Sequence, residues 1–402
     1  MKYPTVPFLF LAITLACTEP GPPAVEFEGR PGSGAPNLVE DRQGGLILTW
    51  LERDSAGRSS LQFAVREKGE WSTPGVIVQD RELFVNWADF PSLTVTGEGA
   101  WVAHFLEKTA TSPYAYHAMV TSSRDAGATW TTPEPVHDDR SDTEHGFVAM
   151  VTDGEGGVDL TWLDGRAMTE AERGPMSVRT RYIDRSGTFG PERLLDDRSC
   201  ECCQTAVTRT SRGLLAAYRD RSEDEIRDIA IVREEGDGWT DPLIVAADGW
   251  EHRACPVNGP ALASEGESVW LAWYTGVGST PRVYLVHSTD AGLTWGERLQ
   301  IDGGSTLGRV DLQLVPETNG AVIIAWLDAD AETEGGAVWR LRRIGADEVP
   351  GPTMDVAHVN RARVSGFPRL AFADGALFMA TTATDLEGSR SVQVHRIGLP
   401  IP

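Results

Sequence analysis

The residue types able to do chemistry crowd into a few short stretches of this chain. Cys200-Glu201-Cys202-Cys203 is the densest, and Cys255 follows it. Thiols this close either oxidise to disulfides or, as thiolates, hold a soft metal ion, because clustered sulfur ligands select Cu(I) or Zn. Cys-x-Cys-Cys is not zinc-finger spacing, and the sequence leaves the outcomes open. They are a bridge from Cys255 to one of the three, a bridge between Cys202 and Cys203, or a Cu or Zn site with His145 or His252 as a further ligand. Asp89, Glu144 and His145 are of the types that move protons. His137 beside Asp138 and Asp139, taken with Asp89 and Asp164, offers an acid/base pair or an oxygen-rich metal site. Arg166, Arg219, Arg221, Arg309 and Arg363 suit an anionic ligand, since a planar guanidinium makes bidentate, charge-assisted bonds to a carboxylate. Arg219-Asp220-Arg221 with Glu225, Arg227 and Asp228 reads equally well as a structural ion-pair network.

Residues so far apart act together only if the fold collects them, and the stretch from Asn258 to Asp302 indicates how. Its apolar and polar residues alternate in short runs between Gly and Asp punctuation, which is the pattern of four strands joined by tight turns. A single small sheet has two apolar faces and cannot bury both, so it must be one of several copies. Its second strand recurs around Trp50, His104, Trp162, Tyr218, Trp273, Trp326 and Thr381, at spacings of 53 to 58 residues. Such an array is an all-β propeller of four-stranded antiparallel blades, with seven blades favoured and six the alternative. The last unit carries three strands of its own, and a segment near Val25 to Phe27 is a candidate for the fourth. His104, replacing a Trp, reads as a core histidine.

In a propeller the first strand of each blade lines the central channel and the second runs back beside it. Residues just before first strands and just after second strands therefore share one end of the ring. That end collects Asn86-Trp87-Ala88-Asp89, Glu144-His145, the cysteines, Asn258, Arg309 and Arg363, together with Glu107, Asp164, Arg166, Arg219, Arg221 and Asp328. The expected site is this channel mouth, with Asp89, Glu144 and His145 for proton transfer and Arg166, Arg219, Arg221, Asn258, Arg309 and Arg363 for substrate.

A net charge of -23 argues against nucleic acid or anionic lipid headgroups as partners, both of which need a basic face. The N-terminus, MKYPTVPFLFLAITLACTEPGPPA, has an apolar run from Phe8 to Ala16, too short to span a bilayer and fitting the core of a signal peptide. Ile13-Thr14-Leu15-Ala16-Cys17 resembles a bacterial lipobox, with Thr14 where Leu is usual. The expected organisation is a signal peptide over 1–17 ending at a lipidated Cys17, a tether with the candidate closing strand over 18–34, and one propeller over 35–402. The chain would be a monomer, exported, and either anchored in the periplasm or outer membrane by its lipid or secreted.

Ser123-Arg124-Asp125-Ala126-Gly127-Ala128-Thr129-Trp130 and the matching turn from Ser288 to Trp295 resemble the Asp-box, or BNR repeat, of sialidase-like propellers. Glu144 to Met150 (EHGFVAM), Trp162 to Arg166 (WLDGR), Cys200 to Thr205 (CECCQT), Tyr218 to Arg221 (YRDR) and Cys255 to Pro260 (CPVNGP) are similar to bacterial exported propellers labelled "sialidase family". The resemblance covers the mature chain at the level of architecture. It implies a carboxylate held by three arginines, a Tyr nucleophile activated by a Glu, and an Asp acid/base. The family's N-terminal Phe-Arg-Ile-Pro motif is missing, Ala35-Pro36-Asn37-Leu38 standing in its place. Tyr218 and Tyr274 are the available phenols, and Tyr218 occupies a core Trp position. Three functions follow: hydrolysis or binding of an acidic glycan or other anion; a soft-metal or redox role for the cysteines; and a non-catalytic envelope scaffold.

Overall fold

The computed structural model describes residues 23–169, 174–318, 320–384, 388–398 and 401; the segment expected to be a signal peptide and Cys17 lie outside them. Among the described residues the strands form seven antiparallel sheets arranged as the blades of a propeller. The innermost strands are Ser33–Glu40, Ser92–Val95, His145–Thr152, Ala206–Thr210, Ala261–Glu265, Thr306–Leu314 and Arg369–Ala373. In the seventh blade Ala24–Glu28 supplies the outermost strand, pairing antiparallel with Arg390–Gly398 so that Val25 faces His395. The first and last strands among the described residues thus close the ring through one sheet.

The second strands explain why the repeat is legible. Leu46–Arg53 is buried along nearly its whole length because both its faces meet other blades. Leu46, Leu48 and Trp50 pack on Phe378 and Ala380 of blade seven, while Ile47 and Leu51 pack on Phe105 of blade two. Val322–Ala329 does the same in blade six, sending Ile323, Ala325 and Leu327 toward blade seven and Val322, Ile324 and Trp326 toward blade five. Period-two alternation here separates two apolar interfaces, not core from water. Truncating a marker such as Trp162, which is fully buried, should cost about 3–5 kcal/mol. His104 is buried in its marker position, where its Nδ1 accepts the Ser92 N–H at 3.2 Å and burial holds the ring neutral, with a pKa lowered to about 3.

The two Ser-x-Asp turns lie at the end of the ring opposite the innermost strand starts, and their bonding is the same. Asp125 Oδ1 and Asp290 Oδ1 each accept an N–H four residues on, from Thr129 and Thr294, at 2.8 Å. Ala126 and Ala291 sit at positive φ, of 54° and 61°. These staples carry no side chain to the other end.

Candidate functional site

At the mouth, the innermost strands of blades three and six begin with the same backbone device. Their register with the second strand slips between Gly146 and Ala149 and between Gly308 and Asp311. The residue after each glycine has positive φ, 53° at Phe147 and 59° at Arg309. A bulge of this kind turns an N–H out of the ladder, and a side chain of the preceding blade receives it. Asp89 Oδ1 accepts from Phe147 N at 2.8 Å, and Asn258 Oδ1 accepts from Arg309 N at 2.6 Å. Only glycine fits before each bulge, since a Cβ on Gly146 would run into Asp89 Oδ2 and one on Gly308 into Asn258 Oδ1.

The second oxygen of Asp89 leads to the most reactive arrangement of the mouth. Tyr116 Oη lies 2.8 Å from Asp89 Oδ2 and 2.6 Å from Glu144 Oε1. A phenol has one proton to donate, so both contacts are satisfied when one carboxyl is itself protonated and donates to the phenol oxygen. Burial raises Asp89 to about 7 and Glu144 to about 8, with the charge of Asp89 pushing Glu144 further. The Phe147 N–H favours the ionised form of Asp89. The proton therefore belongs on Glu144, and Tyr116 donates toward Asp89. Phe84 stacks on Tyr116 at 3.9 Å and 10°, fixing the phenol in place. Tyr116 and Asp89 are each 1% exposed, whereas Glu144 is half-buried and borders Cys255.

The four cysteines meet, as their loops in neighbouring blades require. Cys200 Sγ is 3.3 Å from Cys203 Sγ and 3.8 Å from Cys202 Sγ, and Cys255 approaches Cys202 from the neighbouring loop. No disulfide joins them: the thiols are free, at separations well beyond the ~2.05 Å of an S–S bond. Hydrogen bonds from Cys202 and Cys203 hold Cys200 well below the usual thiol range, with the Arg227 guanidinium adding to them. Burial instead pushes Cys203 up to about 12. The neighbouring Cys202 thiol lowers exposed Cys255 to about 7. The loop thus stabilises thiolate next to a cation.

The arginines fall into different environments. Arg219 is buried and donates to main-chain carbonyls of Asn258 (2.7 and 3.0 Å), Tyr274 (2.7 Å) and Arg227 (2.5 Å). Arg309 is also buried and donates to carbonyls of Ala362 and Gly366. Both hold loops of the mouth together. Arg166 pairs with Asp164 and Glu192, and Arg221 pairs with Glu225 and Glu201. Arg363 is exposed, and like Arg309 it lies over the Trp87 ring, at 5.8 and 5.0 Å from its centroid. Asn258 bridges the two groups through its carbonyl to Arg219 and its side chain to Arg309 N. Tyr218 is buried and bonded to Asp196, and Tyr274 is half-buried against Trp250, so neither phenol faces Glu144. His145 turns away from Tyr116 to stack on His137.

Sequence reasoning places Trp87 at the mouth without giving it a role, and misses Tyr116 and Gln204 as parts of the site. Tyr116 opens the third strand of blade two, Tyr116–Ser123, opposite Lys108 at the end of the second. Third-strand starts share the mouth, and that is the signal that would find it. Gln204 donates from Nε2 to Ala88 O at 2.7 Å and accepts from Gly259 N at 2.9 Å, strapping the start of blade two to that of blade five.

No family model and no curated protein sequence matches this chain. Solved structures do resemble it. The BP39L lectin from Burkholderia pseudomallei aligns over 92% of this chain and 99% of its own at 12% identity, TM-score 0.62. A Penicillium chrysogenum alpha-L-arabinanase, solved with arabinobiose, aligns over 93% and 98% at 12% identity, TM-score 0.51. A Trypanosoma rangeli sialidase, solved with the inhibitor DANA, aligns over 89% of this chain and 57% of its own at 12% identity, TM-score 0.50. At such identity the likeness is one of fold.

Proposed function

We propose that the channel mouth is a carbohydrate site in which the chain hydrolyses a glycosidic bond of an acidic glycan, with Glu144 as general acid. The observation that carries this reading is the Tyr116 hydroxyl held between Asp89 and Glu144. A carboxyl that keeps its proton at neutral pH is what a departing glycosidic oxygen needs: Glu144 gives that proton as the C–O bond breaks, and water, adding to the anomeric carbon, returns one to the carboxylate. Glu144 is the member of the trio that reaches solvent, so Tyr116 and Asp89 are positioning residues that hold its proton. Exposed Arg363 beside the Trp87 face supplies a cation and an aromatic surface for an acidic sugar. The neighbours named as a lectin, an arabinanase and a sialidase lend only the architecture.

The test is turnover of fluorogenic glycosides, sialosides and uronides included. Cleavage by the wild type that Glu144→Gln lowers at least a hundredfold supports the reading; no cleavage of any acidic glycoside contradicts it. An exported, lipid-anchored location belongs to the same proposal, and lipid labelling that Cys17→Ala removes would support it.

The sulfur cluster favours a second reading, a Cu(I) or Zn site in an envelope protein. Metal content and free-thiol count of aerobically purified protein decide it: no metal together with no free thiols would end the idea.

A further inference from the structure

His117, His137 and His145 converge on the shoulder between blades two and three, away from Tyr116. His137 and His145 lie parallel, ring centroids 3.8 Å apart and 9° between planes, with His117 edge-on to both at 4.7 and 5.4 Å. One ring nitrogen of each lies within 4.8 Å of the others. His137 Nδ1 is 2.8 Å from Asp139 O, and His145 Nδ1 is 3.2 Å from Thr143 O. A carbonyl only accepts, so both Nδ1 atoms carry the proton and both Nε2 atoms present lone pairs. Both Nε2 atoms are fully buried; His137 Nε2 has no hydrogen-bond partner, and His145 Nε2 meets only the Asp139 carboxylate. Two parallel imidazoles aiming buried lone pairs into one space repel unless a cation or a hydrogen-bond donor sits there. Asp139 Oδ2 faces the same space, 3.0 Å from His145 Nε2, and is oriented by the Ser141 N–H and hydroxyl.

We propose that His117, His137 and His145, with Asp139, bind a borderline divalent transition metal ion, Zn(II) or one of its neighbours such as Ni(II) or Co(II). Ring N–H groups fixed on backbone carbonyls are how metal-ligating histidines are held. Three imidazoles and one carboxylate suit these ions better than Ca(II) or Mg(II). The rival occupant is a proton, making His145 an imidazolium paired with Asp139. It leaves His137 Nε2, buried and without a partner, unanswered. Asp164, 3.9 Å from His145 Nε2, is engaged by Arg166 Nε at 2.6 Å and Trp162 Nε1 at 2.9 Å, so it orients the site without ligating. Half-buried His117 marks the side from which an ion arrives. The ion would clamp the loop over 136–144 to blade three next to Glu144. The site does not depend on the carbohydrate reading.

Co(II) titration of the reduced, chelator-stripped full chain tests it by absorption. Visible d–d bands from one Co(II) that persist after the cysteine thiols are blocked by alkylation are expected, and His137→Gln or His145→Gln should weaken that binding at least tenfold. No Co(II) spectrum, or one that appears only with the thiolate band of the cysteine cluster, overturns the proposal. So does a folded His137→Gln that keeps wild-type affinity. Should both variants fail to fold, the wild-type spectrum decides alone.

Discussion

The junction of blades two and three and that of blades five and six are built alike and equipped differently. Each has a glycine, a positive-φ bulge and a side-chain oxygen from the preceding blade that accepts the freed N–H. At the second junction that oxygen belongs to Asn258, a neutral amide whose other contacts are main-chain carbonyls. At the first it belongs to Asp89, whose spare oxygen meets Tyr116 and through it Glu144. An amide is sufficient for the backbone. The carboxyl at the first junction therefore does something the bulge does not require, and it does so where burial makes a charge costly. The difference separates a structural cap from a proton-holding one on the same scaffold.

The comparison is broken most forcefully at Glu144. Glu144→Gln keeps the shape and removes the acidic proton, so turnover should fall about 10²–10⁴-fold while the melting temperature stays within a few degrees. A retained rate would remove the chemical role from this junction. Next come the two glycines. Gly146→Ala and Gly308→Ala should each destabilise by about 1–3 kcal/mol in denaturant melts, because the new methyl meets the cap. Only the first should also disturb turnover out of proportion to folding, and equal effects on activity would erase the distinction.

The acid limb gives a sharper and smaller test. Asp89 and Glu144 bind their protons more tightly folded than unfolded, at about 7 and about 8 against ordinary values of 3.8 and 4.5. Between those limits the folded chain holds more protons than the unfolded one, so this part of its stability is present at low pH and lost as pH rises toward about 8. Thermal melts from pH 5 to 8 should show a decline that Glu144→Gln flattens; an identical slope in the variant would contradict the assignment. Asp89→Asn should have the mildest effect, within about 1 kcal/mol of wild type, since the amide can accept the Phe147 N–H as Asn258 does for Arg309. Losing the neighbouring charge should also lower the Glu144 pKa and move the pH–rate profile to lower pH.

The ring was legible because the second strands repeat a buried marker whose spacing survives every loop insertion. That one end would collect Asp89, Glu144, the cysteines and Asn258 followed from strand direction alone. Which of them touch did not follow. Tyr116 stayed hidden because its strand reads as core, and its hydroxyl meets two carboxyls only through the packing of blade two on blade three. Arg219 and Arg309 looked like ligands for an anion, since a sequence does not reveal that bulged loops leave carbonyls for a guanidinium to satisfy. The histidine cluster needed the path of the loop after Glu134–Pro135, which no periodicity constrains.

The carbohydrate reading turns on where one proton resides at neutral pH. Infrared difference spectra of wild type against Glu144→Gln, recorded across pH 5 to 9, read it directly. A protonated carboxyl stretch belonging to Glu144 at pH 7, fading as pH passes about 8, is expected. A Glu144 carboxylate already ionised at pH 6 would contradict the account.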